Sequence, residues 1–141
     1  MLEKLRNITN STLVTTLGIE ITEFEKDCVK GRMPVDERTK QPFGLLHGGA
    51  SVALAETLGS LGGGKNIDLD SHAVVGIEIN ASHLKSVKNG WVFGKAEPVR
   101  IGKKIQVWEI VITDEIKNLI CKSRLTLAVI KKHAQQSNIK Y

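Results

Sequence analysis

Aromatic side chains are scarce in this 141-residue chain: three Phe, two Trp and one Tyr. So few rings, none interleaved along a basic helix, offer no platform on which nucleic-acid bases could stack. Three prolines and two cysteines are too few for a proline-rich or disulfide-framed scaffold. Cys28 and Cys121 lie far apart without Cys-x-x-Cys spacing, each in an apolar, strand-like stretch, which predicts free buried thiols. Long hydrophobic runs are missing too. The longest weakly polar one, Phe43 to Ala55, is interrupted by His47 and is too short for a bilayer. The chain does not open on a basic segment followed by an apolar one, so a cytoplasmic protein with no membrane partner is expected. His47, His72, His83 and His133 show no metal-ligand spacing, so no metal is expected.

What is present is globular composition, 41% hydrophobic and 25% charged, which excludes a disordered or low-complexity chain. The length suits one domain spanning 1–141, burying roughly 68% of the open chain's surface. A net charge of +5 and a pI near 9.3 suit a polyanionic partner. Charge alone leaves open whether that is nucleic acid or a small molecule such as a nucleotide or coenzyme A.

Spaced apolar residues over 1–17, ending at Gly18, predict one or two short helices. Ile19 to Phe24 and Cys28 to Met33 read as strands joined by the charged turn at Glu25 to Asp27. After a polar loop from Pro34 to Gly44, Ala50 to Leu61 favours helix, with Gly62-Gly63-Gly64 expected to stop it. Four Val- and Ile-rich strands follow: His72 to Leu84, Trp91 to Arg100, Ile105 to Thr113 and Leu119 to Ile130. In the last, Leu119, Cys121, Ser123, Leu125, Leu127 and Val129 alternate with polar positions, giving one buried and one wet face. Residues 131–141 have no periodicity and are expected to be a loose tail. A helix apolar nearly all round must be covered on most sides, and only the sheet is available to do so. The economical architecture is α+β: a curled antiparallel sheet wrapped around one long central helix. The edge strands of an open sheet would be covered by a second subunit.

Between His47 and Lys65 the only ionisable residue is Glu56. A carboxylate on an apolar helix either points into water or is held for chemistry, because burying it unpaired is costly. Ser60 is four residues on and shares its face. At the start of the helix, His47-Gly48-Gly49 either shapes a tight turn or offers backbone N–H groups to a developing oxyanion. Nine residues separate His47 from Glu56, about 13 Å and half a revolution on a helix. If both act on one bond, they come from different subunits. Gly59 to Lys65 has the spacing of a phosphate-binding loop, but Asn66 replaces the Ser/Thr such a loop needs.

The run Gln41-Pro42-Phe43-Gly44-Leu45-Leu46-His47-Gly48-Gly49-Ala50-Ser51, with Ala55-Glu56 and Gly59-Ser60, resembles the hotdog-fold acyl-CoA thioesterases. More narrowly it resembles the branch serving menaquinone biosynthesis (1,4-dihydroxy-2-naphthoyl-CoA) and proofreading in the enterobactin pathway. Gly76 to His83, Gln106-Val107-Trp108 and Ser123 to Thr126 extend the resemblance, which runs from about Leu17 to Ile130. It implies a hotdog fold and a homodimer with shared sites, often paired into a tetramer. The implied activity is hydrolysis of aromatic acyl-CoA thioesters, with coenzyme A as part of the substrate and no separate cofactor. Carried over residue by residue, it makes Glu56 the nucleophile or general base and puts Gln41 and His47 against the thioester from the opposite subunit. Gly49 or its neighbour Gly48 would polarise the carbonyl, and Ser60 would assist Glu56. His83 and Lys85 would meet coenzyme A, as would Arg100 with Gly102, Lys103 and Lys104; Lys85 departs from the Arg that relatives can carry. Two other activities of such folds compete: a dehydratase of hydroxyacyl thioesters, and a non-catalytic acyl-CoA-sensing protein.

Overall fold

The computed structural model describes residues 1–133. Two short helices open the chain, α1 (Leu2–Thr9) and α2 (Leu13–Thr16), and Gly18 ends the segment at φ +69°. Strands β1 (Glu20–Phe24) and β2 (Val29–Pro34) form a hairpin, and the central helix α3 spans Gly48–Lys65. Strands β3 (His72–His83), β4 (Trp91–Ile101), β5 (Ile105–Thr113) and β6 (Leu119–Lys131) complete one antiparallel sheet. Its order is β1-β2-β4-β5-β6-β3, so β1 and β3 are the edges. No described helix is long and apolar enough to cross a membrane.

The sheet curls around α3, which packs against every strand. Leu54 and Leu58 of the helix meet Trp108, Ile110, Ile112, Leu125 and Leu127 in the core. Leu58 sits in a socket made by two facing glycines, Gly31 and Gly94, which pair across β2 and β4. A Cβ on Gly94 would lie 2.5 Å from Leu58 Cδ1.

The helix does not stop at Gly62-Gly63-Gly64; it runs through them to Lys65. Each interior glycine costs a helix about 1 kcal/mol relative to alanine, and the packing explains why glycine is there. A Cβ on Gly62 would lie 2.5 Å from Cη2 of Trp108, a ring with no exposed surface, and one on Gly63 would strike Leu127. The bare helix face lets Trp108 lie flat beneath it. Gln106 completes the contact, accepting from Trp108 Nε1 (3.0 Å) while its amide donates to the Gly63 carbonyl (3.3 Å).

One further expectation changes. Lys131 belongs to β6, opposite His72, and Lys132 donates from its backbone to Ser71, so the tail does not begin at 131. The rest of the expected loose segment, 134–141, lies outside the described residues. The helix is covered on most sides, as expected, and Val52, Ala53, Glu56, Thr57 and Ser60 form a partly exposed stripe along the remaining one. Both cysteines are free, as expected; Cys121 is buried, whereas Cys28 is only partly so.

Candidate active site

The loop before α3 is a tight turn. Gly44 takes φ +78° and donates to the Gln41 carbonyl, and Gln41 in turn donates to that of Leu45. The Gln41 side-chain oxygen accepts from the Phe43 N–H at 2.5 Å. Its oxygen is therefore occupied, and its NH2 is left as a donor. Phe43 itself projects into solvent at 88% exposure.

His47 is the N-cap of α3, its Nδ1 accepting from the Gly49 N–H at 2.8 Å. In the neutral ring the proton then sits on Nε2, which faces outward as a donor. This bond also distinguishes the two glycines expected to offer an N–H. The Gly49 N–H is taken by His47, whereas the Gly48 N–H bonds to no described residue. A Cβ on Gly48 would lie 2.8 Å from Nε2 of His83, so the ring of His83 rests directly against this glycine. Gln41, Gly48, His83 and Lys85 meet around one cavity of about 390 Å³ at the positive end of the α3 dipole.

Glu56 does not reach this cavity. It lies two helical turns further along, on the half-exposed stripe with Thr57 and Ser60. Its carboxylate rests against the backbone of Gly76 in β3, where a Cβ would come within 2.8 Å of Glu56 Oε1. No described cation or donor pairs with it. Next to Gly76 the β3–β6 register slips between Gly76 and Glu78, leaving Ile77 as a bulge on the open edge. In the sequence Gly76 figures only as the start of a stretch carrying the resemblance, although an isolated glycine inside a strand pattern is a known sign of a bulge or close approach.

The basic residues divide between the two ends of the sheet. Lys85 follows His83, which pairs with Cys121 of β6. Arg100, Gly102, Lys103 and Lys104 lie at the β4–β5 turn, where the Lys104 carbonyl accepts from Val129 of β6. From Cys121 to Val129 the strand rises about 27 Å. Within one chain, then, the cavity with Gln41, Gly48, His83 and Lys85 stands apart from Glu56 with Ser60, and from Arg100 to Lys104.

A thioesterase superfamily model matches residues 43–121, more than half the chain, including all of α3 and the loop before it from Phe43 onward. The chain belongs to the thioesterase superfamily. Among its relatives are the proofreading thioesterase EntH of Cronobacter turicensis and the 1,4-dihydroxy-2-naphthoyl-CoA hydrolase of Listeria monocytogenes. The first is 52% identical over 129 residues, covering 92% of this chain and 93% of that protein. The second is 52% identical over 120 residues, covering 85% of this chain and 97% of that one. A crystal structure of a Haemophilus influenzae thioesterase superposes with a TM-score of 0.90 at 49% identity, covering 96% of this chain and 95% of its own. The curled sheet around α3 is accordingly the hotdog fold, and the chain is a thioester hydrolase.

Proposed function

We propose that this thioesterase hydrolyses aromatic acyl-CoA thioesters in sites shared by two copies of the chain, with Glu56 as the reacting carboxylate. The observation that carries the reading is the unpaired Glu56 on an uncovered stripe of α3, separated along the helix from the free Gly48 N–H. A copy packed against that stripe would bring its own Gly48, His47 and Gln41 to this Glu56. The edge strand β3 supports such packing. It is twelve residues long, has no described neighbour on its outer side, and exposes Ile77 (56%) at the bulge next to Gly76. Antiparallel pairing of β3 with its copy would set the His83 end of one chain beside the His72 end of the other. The cavity of one subunit would then lie on the same side as the partner's Lys103 and Lys104, which suit the phosphates of coenzyme A.

In this arrangement the thioester oxygen accepts from the Gly48 N–H, supported by the helix dipole, with the Gln41 NH2 as a second donor. Glu56 either attacks the carbonyl carbon, forming a mixed anhydride that water cleaves, or takes a proton from the water that attacks. In both routes the C–S bond breaks and coenzyme A leaves as a thiolate, which needs little help from an acid. The menaquinone substrate 1,4-dihydroxy-2-naphthoyl-CoA is the leading aromatic candidate, in keeping with the Listeria relative's name. The test is release of free thiol from dihydroxynaphthoyl-, benzoyl-, phenylacetyl- and lauroyl-CoA by wild type and Glu56→Gln. One aryl thioester should be turned over far faster than lauroyl-CoA. Glu56→Gln should lower its kcat by about a thousandfold or more while still binding it. Near-normal kcat in the variant would remove Glu56 from the chemistry.

A further inference from the structure

Ser51 lies one helical turn beyond His47 and is 1% exposed, yet its hydroxyl has no hydrogen-bond partner among the described residues. The usual acceptor for a helical serine, the carbonyl four residues back, belongs to His47 and already receives the N–H groups of Ala50 (3.0 Å) and Ser51 (3.3 Å). No described side-chain oxygen or nitrogen sealed from solvent lacks a partner, so the Ser51 hydroxyl is not sealed: it opens onto the cavity it lines. That cavity is graded. Its exposed end carries Lys85 and Ser86, and its closed end is formed by Ser51 and Ile120, with Leu45 and Leu46 on the wall. The Gly48 N–H stands on the same turn of helix as Ser51. A thioester whose oxygen meets Gly48 and whose coenzyme A leaves past Lys85 directs its acyl group toward the closed end.

We infer that Ser51 is a specificity residue that reads a hydroxyl carried by the acyl group. The inference rests on the thioesterase reading of this cavity. A cavity of mixed lining whose buried wall pairs an apolar Ile120 with an unsatisfied Ser51 hydroxyl favours an acyl group that offers one hydrogen-bonding atom there. An acyl group without that atom leaves Ser51 unpartnered, and the site discriminates against it.

The experiment compares kcat/KM for benzoyl-CoA with those for 2-, 3- and 4-hydroxybenzoyl-CoA, in wild type, Ser51→Ala and Ser51→Thr. Wild type should prefer at least one hydroxylated isomer. Ser51→Ala should lower that preference about tenfold, the worth of one neutral hydrogen bond, and Ser51→Thr, which keeps the hydroxyl, should retain more of it. An unchanged ratio in Ser51→Ala, or no hydroxyl preference in wild type, overturns the assignment. So does an equal rise in KM for every thioester, which would put Ser51 on the pantetheine arm. If wild type cleaves none of them, the aromatic acyl-CoA reading fails separately. Calorimetric binding of uncleaved benzoyl- and hydroxybenzoyl-CoA to wild type and Ser51→Ala then decides the role of Ser51 by the same ratio.

Discussion

Mixing two inactive variants tests the shared site directly. In a shared-site dimer each chain gives Glu56 to one site and the His47-Gly48 turn to the other. Along α3, Glu56 lies eight residues, about 12 Å of rise, beyond Gly48. Glu56→Ala homodimers then have no intact site, and neither do His47→Ala homodimers. A heterodimer collects both lesions in one site and leaves the other wholly wild type. Random exchange of equal amounts makes about half the dimers hetero, so activity should return to about one quarter of wild type. If one chain held the whole site, the heterodimer would carry one lesion in each site and nothing would return. His47→Ala also removes the acceptor of the Gly49 N–H, at about 1 kcal/mol of helix stability, so both variants should first be confirmed folded by circular dichroism. The assay is thiol release after co-refolding, with heterodimer abundance measured by native mass spectrometry. Heterodimers present in quantity with no recovered activity would refute the shared site.

Other consequences can be measured on the same protein. Replacing Lys103 and Lys104 with Ala should raise KM for CoA thioesters several-fold more than for the corresponding pantetheine thioesters; equal effects would deny a phosphate contact. Gly62→Val should lower stability by about 2–3 kcal/mol in chemical denaturation, because its side chain must enter the space of Trp108. A neutral result would mean that the helix and Trp108 are not in contact. Burial pushes the Cys121 thiol above its ordinary value. Since the thiolate is the reactive form, iodoacetamide should label Cys121 in the folded protein only slowly at neutral pH and faster as pH rises. Rapid labelling at pH 7 without unfolding would contradict its burial.

Much of the architecture was legible because its signals are local. Period-two alternation in β6 marked its buried face, and the isolation of Glu56 among small and apolar residues marked it as unusual. The misreadings came from contacts distant in sequence. Helix propensity ends α3 at three glycines, but Trp108, more than forty positions later, needs that bare face and overrides propensity. The end of the sheet was misjudged for the same reason, since Lys131 is ordered by pairing with His72 across the fold. At the site, residue types foretold a donor near Gly48 and Gly49, but not which one. That depends on where His47 Nδ1 points, a torsion no spacing encodes. Ser51 was hidden in a run of small helix formers, and only the saturation of the His47 carbonyl sets its hydroxyl apart.

The two edges of the sheet are chemically unequal. At one margin β1 is five residues long, broken by a register slip, and ringed by Glu20–Arg32 and Glu23–Lys30 ion pairs, each 2.7 Å long. At the other, β3 is twelve residues of ladder with no described strand on its outer side. A monomer with two bare margins is bifunctional and can polymerise into a fibril, each added copy renewing the growing end. With a single bare margin the chain is monofunctional. Whatever strand adds at β3 consumes the one bare margin among the described strands, and a copy of this chain would present its own β1 to the outside, terminating growth at once. Chain termination is thus built into the sheet.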